Sequence, residues 1–279
     1  KQETVLPNGQ KVSVLAPKVY LAPRNVKVNG EGAIISANKV VINGVQQVEN
    51  SGTILGNEGV SINAENITNN KGRVQGDVVL LAAENTLKNI GGVIEGKDAI
   101  LAKAKQVQIE GSVSDTRDDG KFHQKRIGKV AEINLTNKEG EVQIYADEDI
   151  TVKGAKANIA GHGVFNAKGK LELGALDTHN KEHYGSGDNY YRLEQNMQVG
   201  NQLNVGGDVK YIGGEKVSIV GNDLHADGNT LIASKGDIEI KEGRNKEHLS
   251  SGVKTVDKGL SKVTRVIKHE HDYDLAKAS

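Results

Sequence analysis

Residues 50–96 read NSGTILGNEGVSINAENITNNKGRVQGDVVLLAAENTLKNIGGVIEG. Gly52, Gly72 and Gly92 recur every 20 residues, and Gly56, Gly76 and Gly96 recur in the same phase. Asn50 and Asn70 each precede the first glycine series by two, and Gly32 extends that series backwards. Apolar pairs keep step, from Ile34-Ile35 through Ile54-Leu55 to Val93-Ile94. A period near 20 residues is the mark of a solenoid coil rather than of a globular fold. The glycines are expected at turns that need a positive φ, which a β-carbon penalises. Asn50 and Asn70 are expected to stack as a ladder between successive coils, each amide bonding to the next.

Outward from this stretch the chain alternates with period two. Eleven short segments read apolar–polar–apolar, among them Val12-Ser13-Val14, Val26-Lys27-Val28, Val60-Ser61-Ile62, Val107-Gln108-Ile109, Leu171-Glu172-Leu173 and Ile238-Glu239-Ile240. Alternation predicts strands with one face inside and one in water. Strands this short are not stable as isolated pairs. Stacked in parallel about 4.8 Å apart, they enclose a continuous thin core. The fold predicted is therefore all-β, a right-handed parallel β-helix with protruding arms.

Composition agrees. Only 3% of the 279 residues are aromatic, with 7 Tyr, 2 Phe and no Trp, so the core must be filled by layers of small aliphatics. The 36 basic and 36 acidic residues cancel without a sustained basic block, which argues against a nucleic-acid partner. Cysteine is absent, which rules out disulfides and Cys-based metal sites and suits a chain that crosses a membrane unfolded. No apolar run approaches the roughly 20 residues of a membrane-spanning helix. Lys1 begins in mid-pattern, as expected of a piece of a longer protein whose ends stack on flanking coils of the same chain.

A longer repeat begins near Gly140. Asn180-Lys181-Glu182-His183 and Asn245-Lys246-Glu247-His248 match residue for residue. Leu171-Glu172-Leu173 and Ile238-Glu239-Ile240 sit just upstream of them. Charged stretches near 113–131, 177–200 and 241–279 interrupt the coil pattern and are read as arms leaving one side of the stack. This divides the chain into a solenoid of 20-residue repeats over 1–112, an arm over 113–131, a solenoid of longer repeats over 132–248 with its arm at 177–200, and a C-terminal arm or frayed tail over 249–279. The arms of 177–200 and 241–260 are expected on the same side, about three coils apart, partly paired as strands.

The NSGTILG stretch and its copies resemble the 20-residue repeats of filamentous-haemagglutinin-type exoproteins, and the segment from Gly140 to His248 resembles that family's longer repeat class. The resemblance implies a rigid fibre, secreted through an outer-membrane two-partner (type V) transporter to the surface of a Gram-negative bacterium. It implies adhesion, or contact-dependent delivery of a C-terminal toxin, with a target-cell surface or outer membrane as partner. Neither a compact toxin module nor the family's secretion-recognition domain is evident. The alternative reading is a polysaccharide-active β-helix enzyme.

The candidate chemistry is sparse. His269-Glu270-His271-Asp272 offers ligand types in a row but no scaffold, and is read as a solvated tail. Asp115, Asp118 and Asp119 lack the D-x-D-x-D-G spacing of a calcium loop. Glu172 and Glu239 occupy matching repeat positions, but a half-buried strand carries an outward polar residue anyway. No catalytic residue, cofactor or metal site is assigned. Leu260, Val263 and Ile267 have the spacing of a short amphipathic helix, or belong to a further coil. Tyr184, Tyr190 and Tyr191 gather in the second arm and are the candidate contact residues, since Tyr is enriched in contact surfaces.

Overall fold

The computed structural model describes residues 2–5, 11–14, 24–118 and 120–277. An 18-stranded sheet carries the solenoid, and its strands pair in parallel. After a partial coil ending in Asn25–Val28, successive coils run over 34–50, 53–70, 73–90, 93–110, 131–153, 155–174, 202–220 and 223–241. These are coils 1 to 8 below.

Inward columns run the length of the stack. In the first strand of each coil, Ile35, Ile54, Val74, Ile94, Ile133, Ala157, Leu203 and Leu224 lie in register. In the third strand, Val48, Ile67, Leu87, Val107, Ile150, Leu171 and Val217 do the same, and all are buried. Each coil thus contributes about one aliphatic side chain per column, a thin core built from the small residues that dominate the composition. Phe165 and Tyr211 are the exceptions, stacked in register with ring centroids 5.5 Å apart. Gly163 lies two residues before Phe165 and gives this wider layer room; a β-carbon there would come within 3.3 Å of Val209.

The alternation holds where coils cover one another. In Val107-Gln108-Ile109 and Leu171-Glu172-Leu173 the outer residues are buried and the middle one is not. Ile238 and Ile240 are exposed because no coil lies over coil 8 among the described residues. Gln2–Val5 and Lys11–Val14 form a separate antiparallel pair rather than a coil, and the side chains of Val12, Ser13 and Val14 lie outside the described ones.

The asparagine ladder exists, one residue away from its expected place. Asn50 Nδ2 donates to Asn69 Oδ1 at 2.8 Å, and Asn69 Nδ2 donates to Asn89 Oδ1 at 2.8 Å. All three are buried, whereas Asn70 is exposed and pairs with Ile90. The cause is a length change at the turn. Coil 1 turns through Asn50-Ser51-Gly52, while coils 2 and 3 insert a residue, giving Asn69-Asn70-Lys71-Gly72 and Asn89-Ile90-Gly91-Gly92. The inserted turns carry a left-handed residue, Lys71 at φ 61° and Gly91 at φ 58°. For the same reason Gly32 falls out of the glycine column, in which Ala33 stands below Gly52, Gly72 and Gly92.

The repeat glycines are needed for space, not for positive φ. Gly52, Gly56, Gly72, Gly76, Gly92 and Gly96 all avoid the left-handed region. A β-carbon at Gly72 would lie 2.6 Å from Asn50 Nδ2, and one at Gly52 would strike the Ala33 carbonyl oxygen. At Gly32 a β-carbon would meet nothing.

Candidate functional site

The three charged excursions are β-hairpins. Hairpin 1 joins Val113–Arg117 to Phe122–Ile127, hairpin 2 joins Leu176–Ser186 to Asn189–Val199, and hairpin 3 joins Gly243–Lys258 to Lys262–Lys277. They pair with one another into a single six-stranded antiparallel sheet, a fin beside the solenoid. The helix considered for Leu260, Val263 and Ile267 is absent: these residues lie in hairpin 3 and its turn, and Gly243 to Lys258 pair without interruption against Lys277 to Lys262.

A hairpin leaves after coils 4, 6 and 8. Two coils advance the solenoid by about 9.6 Å, and two antiparallel strands advance a sheet by the same distance. Each new hairpin therefore arrives where the previous one ended, and the fin grows in step with the stack. Hairpins 2 and 3 are separated by two coils, not three. The 65-residue interval between the duplicated tetrapeptides spends part of its length on the hairpin itself, leaving only coils 7 and 8.

The duplicated tetrapeptide is the docking strand. Asn180, Lys181 and Glu182 pair with Gln124, His123 and Phe122 of hairpin 1, while Lys246, Glu247 and His248 pair with Asn196, Gln195 and Glu194 of hairpin 2. A polar row crosses these strands: Asn180 Nδ2 donates to Gln195 Oε1 (3.3 Å), Gln195 Nε2 to Glu247 Oε2 (2.5 Å), and the Tyr273 hydroxyl to the same Glu247 oxygen (3.1 Å). The bond to Glu247 raises the Tyr273 pKa.

At the neck of hairpin 2, Asn201 closes the gap in the coil. Its Oδ1 accepts from Ala155 N at 2.9 Å, and its Nδ2 donates to the carbonyls of Val152 and Gly174. Asn222 sits in the next coil and its Oδ1 accepts from Asn201 N at 2.8 Å. The sequence reading passed over both. The signal was the recurrence of Gly200-Asn201-Gln202-Leu203 as Gly221-Asn222-Asp223-Leu224.

The two faces of the fin differ. Alternation places Phe122, Leu193, Leu249, Tyr184 and Tyr191 on one face. His123, His179, His183 and His248 lie on the other, among Lys125, Lys181 and Lys246. The His123 and His179 rings meet at 4.7 Å. The three tyrosines are thus divided. Tyr184 and Tyr191 pair across hairpin 2 near its tip, with centroids 6.3 Å apart and both rings exposed. Tyr190 faces the opposite way, under the Arg192 guanidinium at 5.3 Å. Gly252 makes room for it, since a β-carbon there would lie 2.6 Å from Tyr190 Cε1.

Asp115, Asp118, Glu172 and Glu239 have structural partners. Asp118 Oδ1 caps the turn of hairpin 1 by accepting from Lys121 N and Phe122 N. Asp115 pairs with Arg117 at 2.9 Å and His123 at 3.0 Å, and the Arg117 hydrogen bond chiefly holds its pKa down to about 2. Asp119 lies outside the described residues. Glu172 and Glu239 share an outward column with Ser218 between them. Lys153 neutralises Glu172 at 2.8 Å, and Lys216 and Lys241 neutralise Glu239 and hold its pKa down to about 2. His269 and His271 project from the face opposite Glu270 and Asp272, so these four residues do not converge.

Residues 183–265 match the family model of the hemagglutinin repeat. The chain carries a filamentous haemagglutinin-type repeat region. The haemagglutinin-repeat match begins in hairpin 2, spans coils 7 and 8, and ends in hairpin 3, somewhat more than one 65-residue interval of the two-coil unit. It continues beyond His248, where the resemblance drawn from sequence stopped, and it leaves the glycine repeats of 50–96 outside. No curated protein and no solved structure matches the chain. Haemagglutinin repeats belong to structural and adhesin proteins, typically secreted exoproteins, and with the β-solenoid they fit a stalk or adhesin.

Proposed function

We propose that the chain is a rigid stalk segment of a large secreted exoprotein on the surface of a Gram-negative bacterium, and that the fin is its contact element. The observation carrying this reading is the two-coil rhythm. An unbranched core gives length and stiffness, while hairpins released at every second coil build a lateral surface that a coil side does not offer. Binding residues concentrate on segments held by a rigid scaffold. On this reading the exposed Tyr184–Tyr191 pair and the long hairpin 3 meet the target-cell surface or outer membrane, and export runs through an outer-membrane two-partner transporter. Delivery of a C-terminal toxin is the more specific form of the same reading.

Deleting 184–195 in the full-length exoprotein tests it. Circular dichroism of the deleted segment is expected to keep its β signal, because repeat stability is mostly nearest-neighbour. Adhesion to, or inhibition of, target cells is expected to fall. Unchanged activity removes the fin as the contact element, and export that persists without the cognate transporter removes the secretion route.

A further inference from the structure

We propose that His248, Asp272 and Glu270 form a surface site for a divalent transition-metal ion of the zinc class. His248 lies on the first strand of hairpin 3 and Asp272 directly opposite it on the second. Glu270 is two residues from Asp272 on the same strand and so on the same face. His248 Nδ1 and Asp272 Oδ1 are 2.5 Å apart, and the potential donor atoms of all three residues lie within 4.8 Å of one another. A tetrahedral zinc, with Zn–N and Zn–O bonds of about 2.0–2.2 Å, separates its donors by about 3.3 Å. Small rotations of these exposed side chains reach that spacing. One imidazole nitrogen with two carboxylates is a mixed donor set suited to zinc, and water can complete the shell.

Two further observations single out this place. Among the described residues the Glu270 side chain makes no hydrogen bond or ion pair, so a carboxylate stands beside an imidazole–carboxylate pair. Glu194 faces His248 from the other side, in direct register. The hairpin itself does not demand this grouping. At the matching place in hairpin 2, His183 stands opposite Arg192. The sequence run His269-Glu270-His271-Asp272 hides the site because only its two acids share a face; the imidazole comes from the duplicated tetrapeptide one strand away.

The inference is independent of the stalk reading and is tested on the intact chain with zinc chloride by isothermal titration calorimetry. One zinc per chain is expected. His248→Gln, Asp272→Asn and Glu270→Gln should each weaken binding at least tenfold, with unchanged circular dichroism. His225 is the control: it forms a similar exposed pair with Asp227, 3.0 Å apart, with no third carboxylate in donor range among the described residues. His225→Gln should leave zinc binding unchanged. Absence of binding overturns the site, as does equal loss in His225→Gln. Calcium bound as tightly as zinc overturns the mixed-donor assignment.

Discussion

The solenoid and the fin are both β-sheets grown along one axis with one strand spacing, yet different forces hold them. A coil strand buries one face completely: Leu171, Leu173 and Val217 are 0% exposed. Its polar interior groups are joined in ladders such as Asn50–Asn69–Asn89. A fin strand buries neither face fully, and Leu193 and Leu249 are only half-buried. Its cohesion comes from backbone pairing and from exposed pairs such as Lys254–Asp188 and Lys246–Asp274, which solvent screening leaves weak. The fin is therefore the less stable sheet, and its order depends on the solenoid delivering each hairpin to its neighbour. A parallel stack thus sets the register of an antiparallel sheet that is marginal alone.

The largest expected effect contrasts equivalent truncations. Leu171→Ala should cost about 2–5 kcal/mol, read as a lowered denaturant midpoint of the main β transition. Leu193→Ala in the fin should cost about 1 kcal/mol or less. Equal losses would break the contrast between a buried and a half-exposed sheet.

Next comes the ladder. Asn69→Ala removes one of the two bonds of the Asn50 amide and the donor to Asn89 Oδ1 inside the core and should cost about 2–4 kcal/mol, while Asn70→Ala should stay within about 0.5 kcal/mol. Thermal unfolding of the two variants side by side checks the register directly, and the reverse order would restore the 20-residue phase read from sequence.

Lys71→Gly should stabilise the chain by about 1 kcal/mol. It relieves the one non-glycine positive φ among the described residues, at a turn where the next coil already carries Gly91. A small rise in the melting midpoint is the expected reading.

The smallest effect is electrostatic and confined to hairpin 1. Arg117 lowers the folded pKa of Asp115 from 3.8 to about 2. A depressed carboxyl pKa contributes stability above the unfolded value and loses it as pH falls through the folded one, here between about 4 and 2. Carboxyl carbon shifts followed by NMR should show Asp115 titrating near the lower value, and Arg117→Ala should return it towards the ordinary aspartate range.

Much of the solenoid was legible. Period-two alternation placed Val107, Ile109, Leu171 and Leu173 correctly inside, because a one-residue slip would turn every one of them to water. The glycine columns were legible too, though their cause was not: a β-carbon clash with the coil below leaves no trace in a single chain segment. Asn50 was placed correctly in the ladder; the Asn70 and Gly32 assignments failed at a turn where one added residue, absorbed by a left-handed Lys71, shifts the phase without disturbing the apolar pattern. The arms were visible as charged interruptions. Their union was not, because pairing of Glu194 with His248 depends on how many coils separate the hairpins, and the 65-residue interval does not by itself show that number.

The most direct test of the fin is a disulfide between two hairpins, in a chain that has no cysteine of its own. Arg192 and Ser250 lie opposite each other across the junction of hairpins 2 and 3. Directly opposed β-carbons are about 4.5–5.5 Å apart, at the upper edge of the roughly 3.5–4.5 Å that a disulfide spans. The Arg192→Cys/Ser250→Cys variant should cross-link under mild oxidation, seen as a mobility shift on a non-reducing gel. Arg192→Cys/Lys254→Cys, four residues further along the same strand, should not. Failure of the first pair to close in a folded chain, or equal closure of both, would show that the hairpins leave the solenoid separately and do not form one sheet.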